Sequence, residues 1–232
     1  MIKFELVGEK IDIEDLQYVL NESEWSIKKE DSKYYLCTKT LNATSEKKEI
    51  VSKTKHFLDL LNGAASIVYK DHQTVGLGSL IILDDNGKRH ITVFTGPIII
   101  RGRSRARANL TLIKDGIEIK DSQPTTVESW LIKSQNSNAV QDALHFFNQT
   151  TWWNLYKVYE VILDDVGNEK RLSKFADSQK LKVFRKTANS RTSVGDHARH
   201  AKKEIFPPKE TMGLDEAYSL MKQLFEAWIR DK

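Results

Sequence analysis

Residues 76–94 have the sequence GLGSLIILDDNGKRHITVF, and this stretch decides the fold class of the N-terminal half. Two apolar segments, Leu77–Leu83 and His90–Phe94, flank the tetrapeptide Asp84–Gly87. The Asn86-Gly87 pair tolerates the positive φ angles of a tight turn, so the pattern is typical of a β-hairpin. We therefore predict antiparallel strand pairing in this half of the chain.

The segments around the hairpin mix short strands with helices. Apolar spacing predicts one helix over 13–20 and a second with an N-cap at Thr44 and apolar positions from Ile50 to Leu61. Asn62-Gly63 is a predicted stop of the second helix, and its extension over 64–68 is the alternative. Further strands are predicted at 2–6, 25–28, 34–39, 98–113 and 117–120. This order of elements favours a mostly antiparallel α+β sheet over a doubly wound one.

The pattern changes after Ser122-Gln123-Pro124, where helical spacing replaces strand alternation. Thr125 and Glu128 form a capping box ahead of an apolar segment, which predicts a helix start. We predict an α+β domain at 1–122 and an all-helical bundle at 123–232.

The helical half has patterns for four or five helices. Trp152–Leu163 is apolar around most of its circumference, which is typical of a helix at the centre of a bundle, and Gly167 ends it. The adjacent Trp152 and Trp153 are expected in the core. The longest predicted loop is the polar stretch 189–204.

Composition narrows the class of protein. The 232 residues are 40% hydrophobic and carry a net charge of +4, an ordinary globular balance. No apolar run approaches the roughly 20 residues that a membrane helix needs, and the N-terminus lacks a secretory pattern. Cys37 is the only cysteine, so internal disulfides and thiolate zinc sites are excluded and a small buried residue is expected. We expect a cytoplasmic protein without a membrane partner.

Four arginines alternate with small residues over 101–108. On a strand, Arg101, Arg103, Arg105 and Arg107 project from one face, about 6.6 Å apart, which is two rises of ~3.3 Å. This spacing is close to that of successive phosphates, and guanidinium groups bind phosphate bidentately. The row predicts a phosphate-binding surface. The alternative is a solvated face or a protected sheet edge, neutralised by acids such as Glu118.

The segment Asn189–Lys203 concentrates groups that bind anions and move protons. His197 and His200 have unperturbed pKa values near neutrality, and Arg191 and Arg199 are suited to stabilising phosphate charge. We take these four residues, together with Asn189, as candidate catalytic residues. The alternative is a structural role, in which they cap helices and pair with acids.

The local pattern around Gly195 predicts a turn followed by a short helix. Gly195 permits a sharp turn, and Asp196 is suited to be the N-cap of the helix. His197 and His200 are three residues apart, so on that helix they share a face. Asp164 and Asp165 are the acids expected to pair with the segment in the structural alternative.

This segment resembles the HEPN superfamily of small all-helical domains, which includes many RNases of toxin–antitoxin and antiphage systems. The signature is an Arg, four to six residues and a His between late helices, which Arg191 and His197 match with five intervening residues. The resemblance covers about 127–232. Thr192 stands where active members often carry Asn, Asp or His, and the Arg199-His200 pair competes for the same role.

The resemblance implies metal-independent RNA cleavage by attack of a 2′-hydroxyl on the adjacent phosphate. His197 is then the proton-transfer residue, Arg191 stabilises the phosphorane-like charge, and two copies of the motif pair across a homodimer interface. The leading hypothesis is an RNA-binding and RNA-cleaving protein of a microbial defence or toxin type. The alternative is a non-catalytic binding or scaffold protein.

Metal and cofactor chemistry receives little support from the sequence. His197-x-x-His200 with Asp196, and Glu160 with Asp164 at helical spacing, are the metal-ligating patterns, and no His-Glu-x-x-His motif occurs. We therefore predict neither a metal nor another cofactor.

Overall fold

The chain forms two compact units in a computed structural model. The first contains Met1–Ala65 and Asp71–Ser129, and the second contains Ser66–Lys70 and Trp130–Lys232. The residues that the structure describes are 2–20, 24–39, 41, 46–83, 89–93, 113–114, 117–118, 125–199 and 209–232.

The first unit is built on a five-stranded sheet in the order β2-β3-β1-β4-β5, and every neighbouring pair is antiparallel. A separate antiparallel pair, β6 and β7, completes the strands of the described residues. The α+β fold class is therefore confirmed. The strands are β1 (Ile2–Val7), β2 (Trp25–Glu30), β3 (Lys33–Thr38), β4 (Gly76–Leu83), β5 (Arg89–Val93), β6 (Ile113–Lys114) and β7 (Ile117–Glu118).

The central strand β1 is buried along most of its length. Its alternating residues Ile2, Phe4 and Leu6 are all part of the apolar core, as the period of two requires. β1 pairs with β3 on one side and with β4 on the other, where the register shifts between Phe4 and Leu6. The predicted burial of Cys37, on β3, is also confirmed.

Two helices accompany the sheet, α1 (Lys10–Val19) and α2 (Lys47–Val68). Trp25 on β2 stacks on Phe57 of α2, with ring centroids 4.4 Å apart. The helix α2 continues through Asn62-Gly63 to Val68. The last turns are stabilised by the burial of Ala64, Ala65 and Ile67, which are fully removed from water.

Helices dominate the rest of the described chain. The predicted capping box at the start of α3 is confirmed, since the Thr125 N–H donates to the Glu128 carboxylate at 2.9 Å and the Glu128 N–H donates to Thr125 Oγ1 at 3.2 Å. The helices are α3 (Thr126–Ser134), α4 (Asn138–Phe147), α5 (Trp152–Val166), α6 (Glu169–Leu172), α7 (Ser178–Asn189), α8 (Arg191–Val194) and α9 (Leu214–Asp231).

The helix α5 lies at the centre of the second unit, where it packs against α4, α6, α7 and α9. Its buried residues lie on one side, within less than half of its circumference at 3.6 residues per turn, so the prediction of burial around most of the helix is wrong. Gly167 ends the helix with a φ of +88°, as predicted. The prediction for Trp153 is also wrong: Trp152 is buried, but Trp153 is 50% exposed. The helix has one open side, and Trp153 falls on it.

Several predicted features lie outside the described residues. They include the Thr44 N-cap, the hairpin turn 84–87, most of the strand 98–113 and the four arginines Arg101, Arg103, Arg105 and Arg107. Among the helices that the structure does describe, none combines the length and apolarity needed to cross a bilayer.

The close approach of β1 and β4 gives a test of the sheet. An alanine Cβ at Gly78 lies 2.6 Å from Val7 Cγ2, whereas at Gly76 the nearest atom is the Val7 carbonyl oxygen at 3.7 Å. We expect Gly78→Ala to lower the free energy of unfolding by about 1–3 kcal/mol, because Val7 and the strand must shift. Gly76→Ala is the matched control and should be nearly neutral in urea unfolding. Equal midpoints for the two variants would contradict this packing.

Candidate functional site

Residues 191–197, which follow α7, form a short helix and a 3-10 turn where the sequence predicted a loop. Ser190 is fully buried and caps α8, since its hydroxyl accepts a hydrogen bond from the Ser193 N–H at 3.2 Å. The chain then turns at Gly195, which has a φ of +63°, and Gly195–His197 form a 3-10 turn. The predicted helix capped by Asp196 is therefore wrong: the short helix precedes Gly195, because Ser190 supplies the cap.

Arg191 begins α8, and His197 ends the 3-10 turn that follows this helix. The Arg191 guanidinium pairs with the Asp196 carboxylate at 2.6 Å, and the side chain of Asp196 is 87% exposed. His197 follows Asp196 directly and is exposed, and its side chain makes no hydrogen bond or ion pair with another described residue. The short segment 191–197 therefore carries a guanidinium paired with a carboxylate and, next to that carboxylate in sequence, an accessible imidazole.

Arg199 is held against α5 by three interactions. Its guanidinium pairs with Glu160 at 2.8 Å and lies over the ring of Tyr156, 4.6 Å from the centroid. Its backbone N–H donates to the Ala188 carbonyl at 3.0 Å, which ties the end of the segment back to α7. The side chain keeps 29% of its surface exposed. Arg199 is a positioned cation with an open side.

Asn189 meets the same tyrosine from α7. Its Nδ2 donates to the Arg185 carbonyl at 2.8 Å and to the Tyr156 hydroxyl at 3.4 Å. Its Oδ1 is buried and has no hydrogen-bond partner among the described residues. Tyr156 therefore brings two of the predicted site residues together, Arg199 on its ring and Asn189 at its hydroxyl.

A second arginine–aromatic pair lies beside this group. Arg185 on α7 lies 5.7 Å from the ring centroid of Tyr159 and pairs with Glu169. Burial raises the pKa of the Tyr159 phenol, although the charge of Arg185 opposes that rise. For Arg185, burial opposes the charged form, but Tyr159 and Glu169 outweigh it and raise its pKa. Both side chains are thereby kept in their usual protonation states.

The open side of α5 continues this surface. Trp153, Lys157 and Glu160 recur at helical spacing, so they share one face of α5. Lys157 Nζ lies 5.2 Å from the Trp153 ring centroid and pairs with Glu160 at 2.9 Å. Glu160 in turn pairs with Arg199. The face therefore runs from an exposed indole through a lysine to the candidate site.

The structure brings some of the predicted site residues together. Asn189 and Arg199 converge on Tyr156, Arg191 lies in α8 and His197 in the turn that follows it, and His200 lies outside the described residues. The acids expected to pair with the segment were Asp164 and Asp165. Glu160 and Asp196 take that role among the described contacts, and Asp165 instead accepts from Trp228 and Lys232.

Two features were missed by the sequence analysis. One is Tyr156, which was assigned only to the core although it carries both Asn189 and Arg199. The other is a buried group in the first unit, formed by Asp12, Asp15 and His72, that is able to hold a metal ion. The signal for the second was that Asp12 and Asp15 are at helical spacing with the apolar residues Leu16 and Val19, although the predicted helix began only at residue 13.

Comparisons with protein-family models, with curated proteins and with solved structures find no match to this chain.

The Arg199–Glu160 pair tests how firmly the site is held. We expect Arg199→Ala to lower the free energy of unfolding by about 1 kcal/mol, because it removes both the ion pair and the contact with Tyr156. In a double-mutant cycle with Glu160→Gln, the coupling should be about 0.2–1 kcal/mol, since both groups remain partly in water. A coupling well above that range would show that Arg199 is fixed too firmly to exchange partners.

Proposed function

We propose that the protein binds RNA and cleaves it without a metal ion, as a ribonuclease of a microbial defence or toxin type. The observation that carries the proposal is the short segment that begins at Arg191 in α8 and ends at the exposed His197. An imidazole without a partner among the described residues, and a guanidinium paired with Asp196, the residue before that imidazole, supply the two functions that phosphoester cleavage needs. The spacing of these residues also matches the HEPN signature.

The proposed reaction uses the RNA itself as the nucleophile. His197 accepts the proton of a 2′-hydroxyl, whose oxygen forms a bond to the adjacent phosphorus. The bond from phosphorus to the 5′-oxygen breaks, and a proton returns to that oxygen. Arg191 stabilises the charge that builds on the non-bridging oxygens. The products are a 2′,3′-cyclic phosphate and a free 5′-hydroxyl.

The carboxylate partner of Arg191 does not block an incoming phosphate. Asp196 is 87% exposed, and an ion pair in such a position is worth only about 0.2–1 kcal/mol. A phosphate that accepts two parallel hydrogen bonds from the guanidinium forms a stronger contact. The Asp196 side chain therefore exchanges for substrate at small cost and holds Arg191 in place until substrate arrives.

The binding surface that we propose extends along α5. Trp153 is half-exposed and offers a flat ring on which a base can stack, and Lys157 lies beside it to contact the backbone. As a separate contact, on the basis of sequence spacing alone, we propose that the row Arg101, Arg103, Arg105 and Arg107 binds phosphates.

The proposal includes a homodimer and a cytoplasmic location. Two copies of the segment 191–197 provide one imidazole to take the 2′-hydroxyl proton and one to return a proton to the leaving oxygen.

The cytoplasmic location that we propose fits the state of the single thiol. Cys37 is buried, and burial raises the pKa of its thiol, so the thiol is unreactive and suited to a reducing compartment.

One observation favours the alternative, a non-catalytic binding or scaffold protein. Each described arginine of the segment already has a carboxylate beside it: Arg191 pairs with Asp196, and Arg199 pairs with Glu160. In that alternative these pairs only fasten the segment to the helices. Binding and cleavage are therefore tested separately.

Binding is tested with a single-stranded RNA of mixed sequence in fluorescence anisotropy at several salt concentrations. We expect the affinity to fall steeply with salt, and Arg191→Glu and Arg199→Glu to weaken it at least tenfold. Trp153→Ala should weaken it with an unchanged salt slope, because stacking releases no counterions. The matched control is Arg230→Glu, at an exposed guanidinium on α9 whose hydrogen bond among the described residues goes to the Glu226 carbonyl of its own helix. If all four variants bind alike, the proposed surface is wrong.

Cleavage is tested with the same RNA in the presence of EDTA. We expect His197→Ala and Arg191→Ala to lower the rate by at least 100-fold with unchanged circular dichroism, since each removes a group needed in the transition state. His145→Ala, at an exposed histidine on α4, is the control and should retain full activity. Absence of cleavage by the unmodified protein across a panel of RNAs, together with retained binding, would favour the alternative.

A further inference from the structure

A group of three ionisable side chains is enclosed in the first unit. Asp12 and Asp15 lie on α1, and His72 lies in the connection between α2 and β4. The side chains of Asp12 and His72 have no exposed surface, and Asp15 is also fully buried. One ligand atom from each residue lies within 4.8 Å of the others. Because Asp12 and Asp15 are three residues apart, their carboxylates leave α1 on the same side.

The imidazole of His72 is oriented by Asn62. Asn62 Nδ2 donates to the Val75 carbonyl at 2.9 Å, and Asn62 Oδ1 accepts from the Val75 N–H at 2.9 Å. These two bonds fix which end of the amide is oxygen. His72 Nε2 lies 3.0 Å from that same Oδ1, so Nε2 must carry a hydrogen and donate it. In a neutral imidazole the lone pair is then on Nδ1.

The lone pair of His72 Nδ1 faces a carboxylate. Nδ1 lies 3.4 Å from Asp12 Oδ1, and this oxygen also accepts the Gln73 N–H at 3.1 Å. Two electron-rich atoms at this separation in a buried site are well placed to share a cation. Such a cation is either a proton on the imidazole or a metal ion that both atoms bind.

Donor chemistry favours the metal ion. A metal-binding histidine characteristically donates its other ring N–H to an oxygen acceptor, as His72 does to Asn62. One imidazole nitrogen with two carboxylate oxygens suits Zn²⁺ or Mn²⁺ better than the all-oxygen preference of Mg²⁺.

We propose that Asp12, Asp15 and His72 form a structural site for a divalent transition-metal ion, Zn²⁺ or Mn²⁺. Ligands about 2.0–2.2 Å from such an ion lie at most about 4.4 Å apart, so the three atoms need only a small closure to bind it. The bound ion fastens α1 to the connection that enters β4. The site is independent of the proposed ribonuclease activity, because the cleavage reaction uses no metal.

The full chain is freed of metal with EDTA, dialysed and titrated separately with Zn²⁺, Mn²⁺ and Mg²⁺. We expect one equivalent of Zn²⁺ or Mn²⁺ to bind in calorimetry and to raise Tm by about 5–10 °C at a hundredfold excess over Kd. Mg²⁺ should have little effect. Added Co²⁺ should give visible absorption bands typical of nitrogen and oxygen ligands.

Variants locate the binding. Asp15→Asn and His72→Gln should lose the metal-dependent rise in Tm, whereas His56→Gln, which removes an exposed histidine of α2 in the same unit, should keep it. His197→Gln combined with His200→Gln should also keep it. If a ligand variant does not fold, the titration of the unmodified chain and its Co²⁺ spectrum still decide whether a metal binds.

Two results would overturn the proposal. One is that neither Zn²⁺ nor Mn²⁺ binds the metal-free chain or changes its Tm. The other is that binding persists in Asp15→Asn and His72→Gln and disappears in the variant lacking His197 and His200. Loss of metal binding with unchanged RNA cleavage would leave the proposed function intact.

Discussion

The second unit depends on the burial of one side of α5. The buried residues Leu155, Tyr159 and Ile162 belong to that side, and α4, α6, α7 and α9 pack against the helix. The same helix provides Tyr156, Tyr159 and Glu160, which receive the side chains of α7 and of the segment after it. The positions of the candidate site residues are thus a consequence of how the core is packed.

Local patterns were sufficient to predict most of the described fold. The capping box at Thr125, the central helix and the antiparallel strands each depend on residues close together in the chain. The period of the apolar residues and the capping residues are therefore enough to predict them. The error in the N-cap arose because two residues of the segment after α7 satisfy the same capping rule. Asp196 is an acceptable N-cap, but the buried Ser190 forms the cap, and its burial depends on contacts that spacing does not reveal.

The candidate site was predictable in part. Composition marked Arg191, His197 and Arg199, because a loop rich in arginine and histidine is visible in any sequence. The meeting of Asn189 and Arg199 at Tyr156 was not visible, since it depends on the angle between α5 and the following segment. The group around His72 was still harder to predict: the Gln73 N–H reaches Asp12 across 61 residues, and no periodic pattern connects such positions.

The side chain of Asn62 has a consequence for the chemical lifetime of the protein. Asn-Gly sequences deamidate when the glycine nitrogen attacks the side-chain carbonyl and closes a succinimide ring. Here Gly63 lies within α2, and Val75 holds the Asn62 amide by two hydrogen bonds, so the ring cannot close in the folded state. The slow appearance of aspartate or isoaspartate at this position in stored protein therefore records how often the middle of α2 opens.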